Sequence, residues 1–98
     1  MVDLRFGWDP RKNAANKRKH GISFDEAETL FADEHALLLD DPDHSDEEER
    51  FVLLGLSARF RVLVVVHNYR ESEEIIRIIS ARKATKPERS QYDARWLP

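Results

Sequence analysis

The 98-residue chain has no cysteine, which excludes disulfides and zinc sites built on thiolates. No apolar run approaches the roughly 20 residues that a membrane helix needs. The N-terminal MVDLRFGWDP also lacks the apolar stretch of a secretory signal. A cytoplasmic protein with no membrane partner is expected. Glycines number three, and none forms a phosphate-cradling loop or a nucleophile elbow. The histidines at 20, 35, 44 and 67 show no zinc spacing. An EF-hand counted from Asp41 needs glycine sixth and glutamate twelfth, where the chain has Asp46 and Val52. Neither a metal nor a cofactor is expected.

What is present is charge, at 36% of residues, beside a hydrophobic content of 41%. The length fits one domain over 1–98 with a modest core. The net charge of −3 conceals a segregation. DDPDHSDEEER, residues 40–50, holds seven acids and one arginine, which leaves 15 Lys and Arg against 12 Asp and Glu elsewhere. RKNAANKRKH, residues 11–20, holds five cations and no acid. A basic face and an acidic loop can therefore coexist, and an acidic pI does not exclude a nucleic-acid partner.

Local signals divide the chain into elements. Alternation of Leu4, Phe6 and Trp8 predicts a short strand. Asp9 and Pro10 start a helix to about His20 whose thin apolar stripe is Ala14 and Ala15, and Gly21 ends it. Ser23 and Glu26 form a capping box, with Ile22 placed to staple onto Ala27. The second helix carries Phe24, Ala27, Leu30 and Phe31 and stops near Asp33. Strands follow at 36–40, 50–57, 61–70 and 73–84, the middle pair joined by a tight turn at Ala58–Phe60. Thr85 and Glu88 cap a last helix to about Trp96. The order is β-α-α-β-β-β-β-α, an α+β arrangement.

Alternation places Arg61, Leu63, Val65, His67 and Tyr69 on one face of their strand, and Val62, Val64 and Val66 on the other. The valine face is expected to be core under helices. Arg61, His67 and Tyr69 then lie on the open side, where Arg77 can join them. In the last strand, simple alternation groups Arg77 with Ile75, Ile79 and Lys83, and Glu74 with Ile76, Ile78, Ser80 and Arg82. Such an open face outlines an anion-binding surface, although a wetted face with scattered charges fits the same pattern. Likewise Lys17, Arg18 and Lys19 can simply answer the helix dipole.

Taken in order, FGWDPRKNAANKRKHGISFDEAETLF (6–31), ERF (49–51) and RIISARKATKPERSQY (77–92) are more specific than any part alone. Together they resemble the BrnT family, the toxin halves of type II toxin–antitoxin pairs, over nearly the whole chain. The resemblance implies a RelE-like fold, a small antiparallel sheet with two N-terminal helices and a C-terminal helix. It implies an endoribonuclease that cleaves RNA without a metal and arrests translation and growth. It also implies a BrnA-like antitoxin partner. That antitoxin would contact operator DNA, so this chain would meet DNA only indirectly.

RNA carries its own nucleophile, the 2′-hydroxyl. An enzyme must accept that proton, stabilise the crowded phosphate and protonate the leaving oxygen. Arginine suits the phosphate, being permanently charged and forked; histidine or a carboxylate suits the proton. Arg61 and Arg77 are the expected phosphate stabilisers, with Arg82 able to stand in for Arg77. Glu74 resembles an acidic position ahead of that arginine and serves as base or orients an arginine. His20 and Lys19 match the KHG element. Lys12, Lys19 and Lys83 are candidate nucleic-acid contacts. Trp8 and Tyr92 are expected to pack rather than stack on bases. A chain with the toxin fold that acts only as a binding module within an antitoxin–operator complex is the competing reading.

Overall fold

Two central strands with apolar residues on both faces organise the sheet, β3 (Phe51–Leu56) and β4 (Val62–Arg70). They are joined in the computed structural model, which describes residues 4–40, 49–70, 72 and 74–97, by the expected turn, with Ser57 N–H donating to Arg61 O at 2.8 Å. β5 (Ile75–Lys83) runs antiparallel to β4, and β2 (Leu37–Asp40) antiparallel to β3. The first strand, β1 (Arg5–Gly7), pairs in parallel with β5, Gly7 lying opposite Arg77. The five-stranded sheet, ordered β1-β5-β4-β3-β2, is therefore mixed and not the wholly antiparallel sheet expected. Three helices complete an α+β fold: α1 (Pro10–His20), α2 (Phe24–Glu28, continued by a 3₁₀ turn at Thr29–Ala32) and α3 (Lys86–Asp93, continued by a 3₁₀ turn at Ala94–Trp96). The acidic stretch 41–48 lies outside the described residues.

Helix ends follow the local signals. Asp9 accepts from Arg11 N–H at 2.8 Å with Pro10 in the first turn, and Gly21 closes α1 at φ 72°, where a side chain would be strained. Ser23 Oγ accepts from Glu26 N–H at 3.1 Å. The Glu26 carboxylate does not return to Ser23, because it is held elsewhere, as described below. At α3 both halves of the Thr85–Glu88 capping box form.

The docking of α1 departs from expectation. Ala14 and Ala15 are exposed, and the helix buries only Asn16. Asn16 Nδ2 donates to Ile22 O and Ala81 O, each at 2.8 Å, and Oδ1 accepts from Ala81 N–H at 3.1 Å. β1 pairs with β5 only at residues 75–77. At Ala81 the carboxamide takes the place of the missing strand, and the backbone groups stay satisfied. Asn13 adds a bond from Phe24 N–H at 2.8 Å.

The core lies on the face expected to be wet. Leu53, Leu63, Val65, Ile78 and Ala81 pack against Ile22, Phe24, Ala27 and Leu30. His67 belongs to this side, 6% exposed and edge-on to Phe31 at 4.8 Å. The valine face carries a smaller cluster, Leu54, Val64 and Tyr92, which α3 covers at one end. Leu63 and Val65 are as apolar as the valines, so alternation alone could not choose between the faces. Gly55 lets the 3₁₀ turn approach β3, since a Cβ there would sit 3.2–3.3 Å from Ala36, Asp33 and Leu30.

Replacing Asn16 with Ala leaves three buried backbone groups short of partners. At ~1–3 kcal/mol for each unsatisfied group, partly relieved by water, the expected loss is about 3 kcal/mol. It should appear as a lower urea midpoint, whereas Ala14→Ser, on the exposed side, should shift stability by less than about 0.5 kcal/mol.

Candidate active site

β5 contains a β-bulge. Val66 pairs with Ser80 and His67 with Ile78, so Ile79 is the extra residue. The bulge inverts the phase of everything before it relative to everything after. Arg77, opposite Asn68, now shares a face with Ser80, opposite Val66, and with Arg82, opposite Val64. Simple alternation would have put Arg77 and Arg82 on opposite sides. This face is the valine face, and Arg77 is accordingly separated by the sheet from His67, which lies in the core. Burial lowers the His67 pKa, so the imidazole is neutral and packs as an aromatic ring.

No described helix covers the half of the valine face away from α3. Arg77, Val66 and Ser80 are half-buried there, and Asn68 is 4% exposed. Arg77 makes no hydrogen bond or ion pair with any described residue. Its cross-strand neighbour Asn68 has its Cα about 5 Å away by strand geometry. Alternation back from Val52 brings half-buried Arg50 to the same face. Asn68, Ser80 and Arg50 escaped the reading of the sequence because their alignment with Arg77 depends on strand register and on the bulge. The ERF segment was the one hint toward Arg50.

The other expected arginines are engaged. Arg82 is gripped by Glu88, Nη1 to Oε1 at 2.8 Å and Nη2 to Oε2 at 2.9 Å, and Glu88 also accepts from Thr85 N–H at 2.8 Å. This fork–fork pair couples β5 to the N-terminus of α3. It holds the Glu88 pKa down at about 2, the hydrogen bonds from Arg82 outweighing burial. Arg82 lies five positions along the strand from Arg77, about 15 Å, and is committed to Glu88 rather than to a phosphate beside Arg77.

Arg61 lies at the opposite end of β4 from Asn68 and donates from Nε to Glu26 Oε2 at 2.9 Å and from Nη2 to Oε1. Ser57 Oγ donates to the same carboxylate at 2.7 Å. The hydrogen bonds from Arg61, against burial, lower the Glu26 pKa. Arg61 thus clamps α2 to the β3–β4 turn and is not brought together with Arg77.

Glu74 sits in the β4–β5 connection, exposed, at φ 54°. It lies at the Arg77–Asn68 end of the sheet, outside the strand, so alternation does not govern it. Lys12 and Lys19 are exposed on α1 and His20 is half-buried at its last residue. His20 follows Asn16 by four positions and shares the stripe of α1 that meets β5. Lys83 is exposed at the far end of β5. Tyr92 and Trp8 pack: Tyr92 donates to Asp33 Oδ2 at 2.7 Å and Trp8 meets Phe24 edge-on. Among the described residues no three His, Asp or Glu side chains group as a metal cage, and no helix is long and apolar enough to cross a membrane.

The family described as "Ribonuclease toxin, BrnT, of type II toxin-antitoxin system" matches residues 8–88. The chain belongs to the BrnT family. The match spans Arg61, Glu74, Arg77 and Arg82. The fold is also similar to that in the 1.1 Å crystal structure of the Brucella abortus ribonuclease toxin, BrnT, with a TM-score of 0.62 and 23% identity over 86% of this chain and 100% of that one. A search of curated proteins found no match. Membership of a BrnT family of type II toxins implies an antitoxin partner and an RNA substrate.

Glu88 gives the fold an acid sensitivity of defined sign. An unfolded glutamate titrates near ~4.3. Its folded value is about 2, so the stability it contributes is complete above about pH 5 and is lost as the pH falls toward 2. Glu26, also lowered, adds in the same direction. Chemical denaturation across pH 2–6 should show a shallower decline for Glu88→Gln than for the parent chain, from a lower starting stability.

Proposed function

We propose that this BrnT-family chain is an endoribonuclease that cleaves RNA without a metal, through attack of the substrate 2′-hydroxyl on the neighbouring phosphorus. That attack forms a 2′,3′-cyclic phosphate and expels the 5′-oxygen, which leaves as a hydroxyl once protonated. Arg77 carries the phosphate. The observation behind this assignment is its placement: a half-buried arginine on a sheet face that no described helix covers at that end, with no acidic partner among the described residues. A charge held in a partly dry site and not already neutralised acts most strongly on the charge that develops in the transition state. Asn68 and Ser80 supply neutral donors and acceptors beside it.

Glu74 is the preferred base, since it flanks the Arg77 end of the sheet and a carboxylate can take the 2′-hydroxyl proton. His20 is the second candidate for proton transfer. Arg82 holds an adjacent phosphate when it exchanges Glu88 for substrate, and otherwise positions α3. Lys12, Lys19 and Lys83 extend the cationic surface. A BrnA-like antitoxin blocks the chain, and operator DNA is contacted through that antitoxin. The site is in the cytoplasm, where its substrate is.

Induction without antitoxin is expected to arrest growth and to degrade RNA in lysates containing chelator. Arg77→Ala should lower the cleavage rate by about 10²–10³-fold, the range for removing one transition-state donor, with the urea midpoint unchanged. Normal growth and intact RNA from a folded, soluble chain would leave only the binding-module reading.

A further inference from the structure

Phe60, at the tip of the β3–β4 turn, is 84% exposed and sits at φ 62°. Glycine or asparagine suits such a backbone better than an aromatic residue does. The turn does not depend on the ring. It is fixed by backbone bonds, Phe60 N–H to Ser57 O at 2.9 Å among them, and by Ser57 Oγ accepting from Arg59 N–H at 3.2 Å and Arg61 N–H at 3.3 Å. An aromatic side chain thus occupies a backbone position that disfavours it and is left in water.

Beside the ring lies an open cavity of about 330 Å³, lined by Phe60, Arg61, Val62, Lys83, Ala84 and Arg89. Its charge is unbalanced. Arg61 is given to Glu26 and Glu88 to Arg82, so these nearby acids are already neutralised. Lys83 and Arg89 are exposed and have no acidic partner among the described residues. A flat apolar ring next to two uncommitted cations matches single-stranded nucleic acid, whose bases stack on aromatics while its phosphates meet cations. A protein anchor, by contrast, is typically an aromatic set in a desolvated apolar pocket. The cavity also lies at the end of β5 remote from Arg77, roughly 20 Å along the strand by its rise per residue, with Arg82 between them on β5.

We infer that this groove is an RNA subsite: Phe60 stacks a base, and Lys83 and Arg89 hold phosphates of nucleotides several positions from the scissile bond. The inference rests on the reading of the Arg77 face as the cleavage site. It makes the turn a reader of flanking RNA rather than part of the chemistry.

The test uses the full chain and a 2′-O-methyl oligoribonucleotide, which lacks the attacking hydroxyl. Binding is followed by fluorescence anisotropy over a salt series, with RNA cleavage by the parent chain and Arg77→Ala measured in parallel. Phe60→Ala should weaken binding about 5- to 150-fold, the fold-change equivalent of base–aromatic stacking. Phe60→Trp should retain the affinity. The salt slope should be unchanged by Phe60→Ala and should fall by about 1.4 in Lys83→Ala/Arg89→Ala, at roughly 0.7 per single-strand phosphate. Equal affinity in Phe60→Ala and parent overturns the subsite and leaves the cleavage reading standing if the parent cleaves and Arg77→Ala does not. A loss of antitoxin binding with RNA affinity intact overturns it in favour of a protein contact. A parent chain that neither binds nor cleaves RNA overturns both readings.

Discussion

The carboxamide of Asn16 is the joint on which the two layers meet. It holds both backbone groups of Ala81 in β5 and the carbonyl of Ile22 at the entrance to α2. Burial of apolar area does not attach α1, since Ala14 and Ala15 face water. Hydrogen bonds are directional where burial is not. The contact therefore fixes the position of the helix along the strand, and with it the start of the chain segment that fills the core. Ile22, Phe24 and Ala27 follow within a few residues and are all fully buried.

Two further polar ties complete the frame. Glu26 joins α2 to the β3–β4 turn through Arg61 and Ser57. Asp33 accepts from Leu56 N–H at 2.9 Å, His35 N–H at 3.0 Å and Tyr92 O–H, and so connects the 3₁₀ turn, β3 and α3. Burial opposes ionisation of Asp33, and these donors overcome it, so its pKa is lowered. Burial, together with the bond to Asp33, pushes the Tyr92 hydroxyl up to about 12. Buried polar groups of this kind give less net stability than a hydrocarbon core but tolerate few alternative geometries. Arg77 stands on the half of the sheet away from α3, where it has no hydrogen bond or ion pair with any described residue.

What was legible in the sequence was local. Asp9–Pro10, Gly21, Ser23 and Thr85–Glu88 act on their own neighbours within a few residues, and each element began or ended where they sit. The order of strands and helices followed. What was illegible was non-local. The parallel pairing of β1 with β5 depends on strands some seventy residues apart. The choice of face in β4 failed because both faces are apolar, so His67 was taken for a surface group. The docking of α1 was misread because a single asparagine outweighed two alanines. At the candidate site, the BrnT resemblance pointed to Arg77 and Arg82, yet neither their shared face nor the engagement of Arg82 and Arg61 by carboxylates can be had from spacing. Phe60 went unremarked because a turn aromatic carries no motif.

The bulge at Ile79 splits β5 into two segments that keep separate time. Ile76 and Ile78 before it, and Ala81 after it, all beat toward the helices; Arg77 before it, and Ser80 and Arg82 after it, beat the other way. The strand can thus be edited in two different currencies of change. A substitution alters one beat. Loss of the single residue at 79 leaves both faces as they are, because Ile78 and Ser80 already sit opposite the adjacent His67 and Val66, and the strand becomes regular with Arg77, Ser80 and Arg82 still on one side. Position 79 is where the strand carries one residue more than the ladder needs, and a one-residue deletion there leaves the pairing of both halves unchanged.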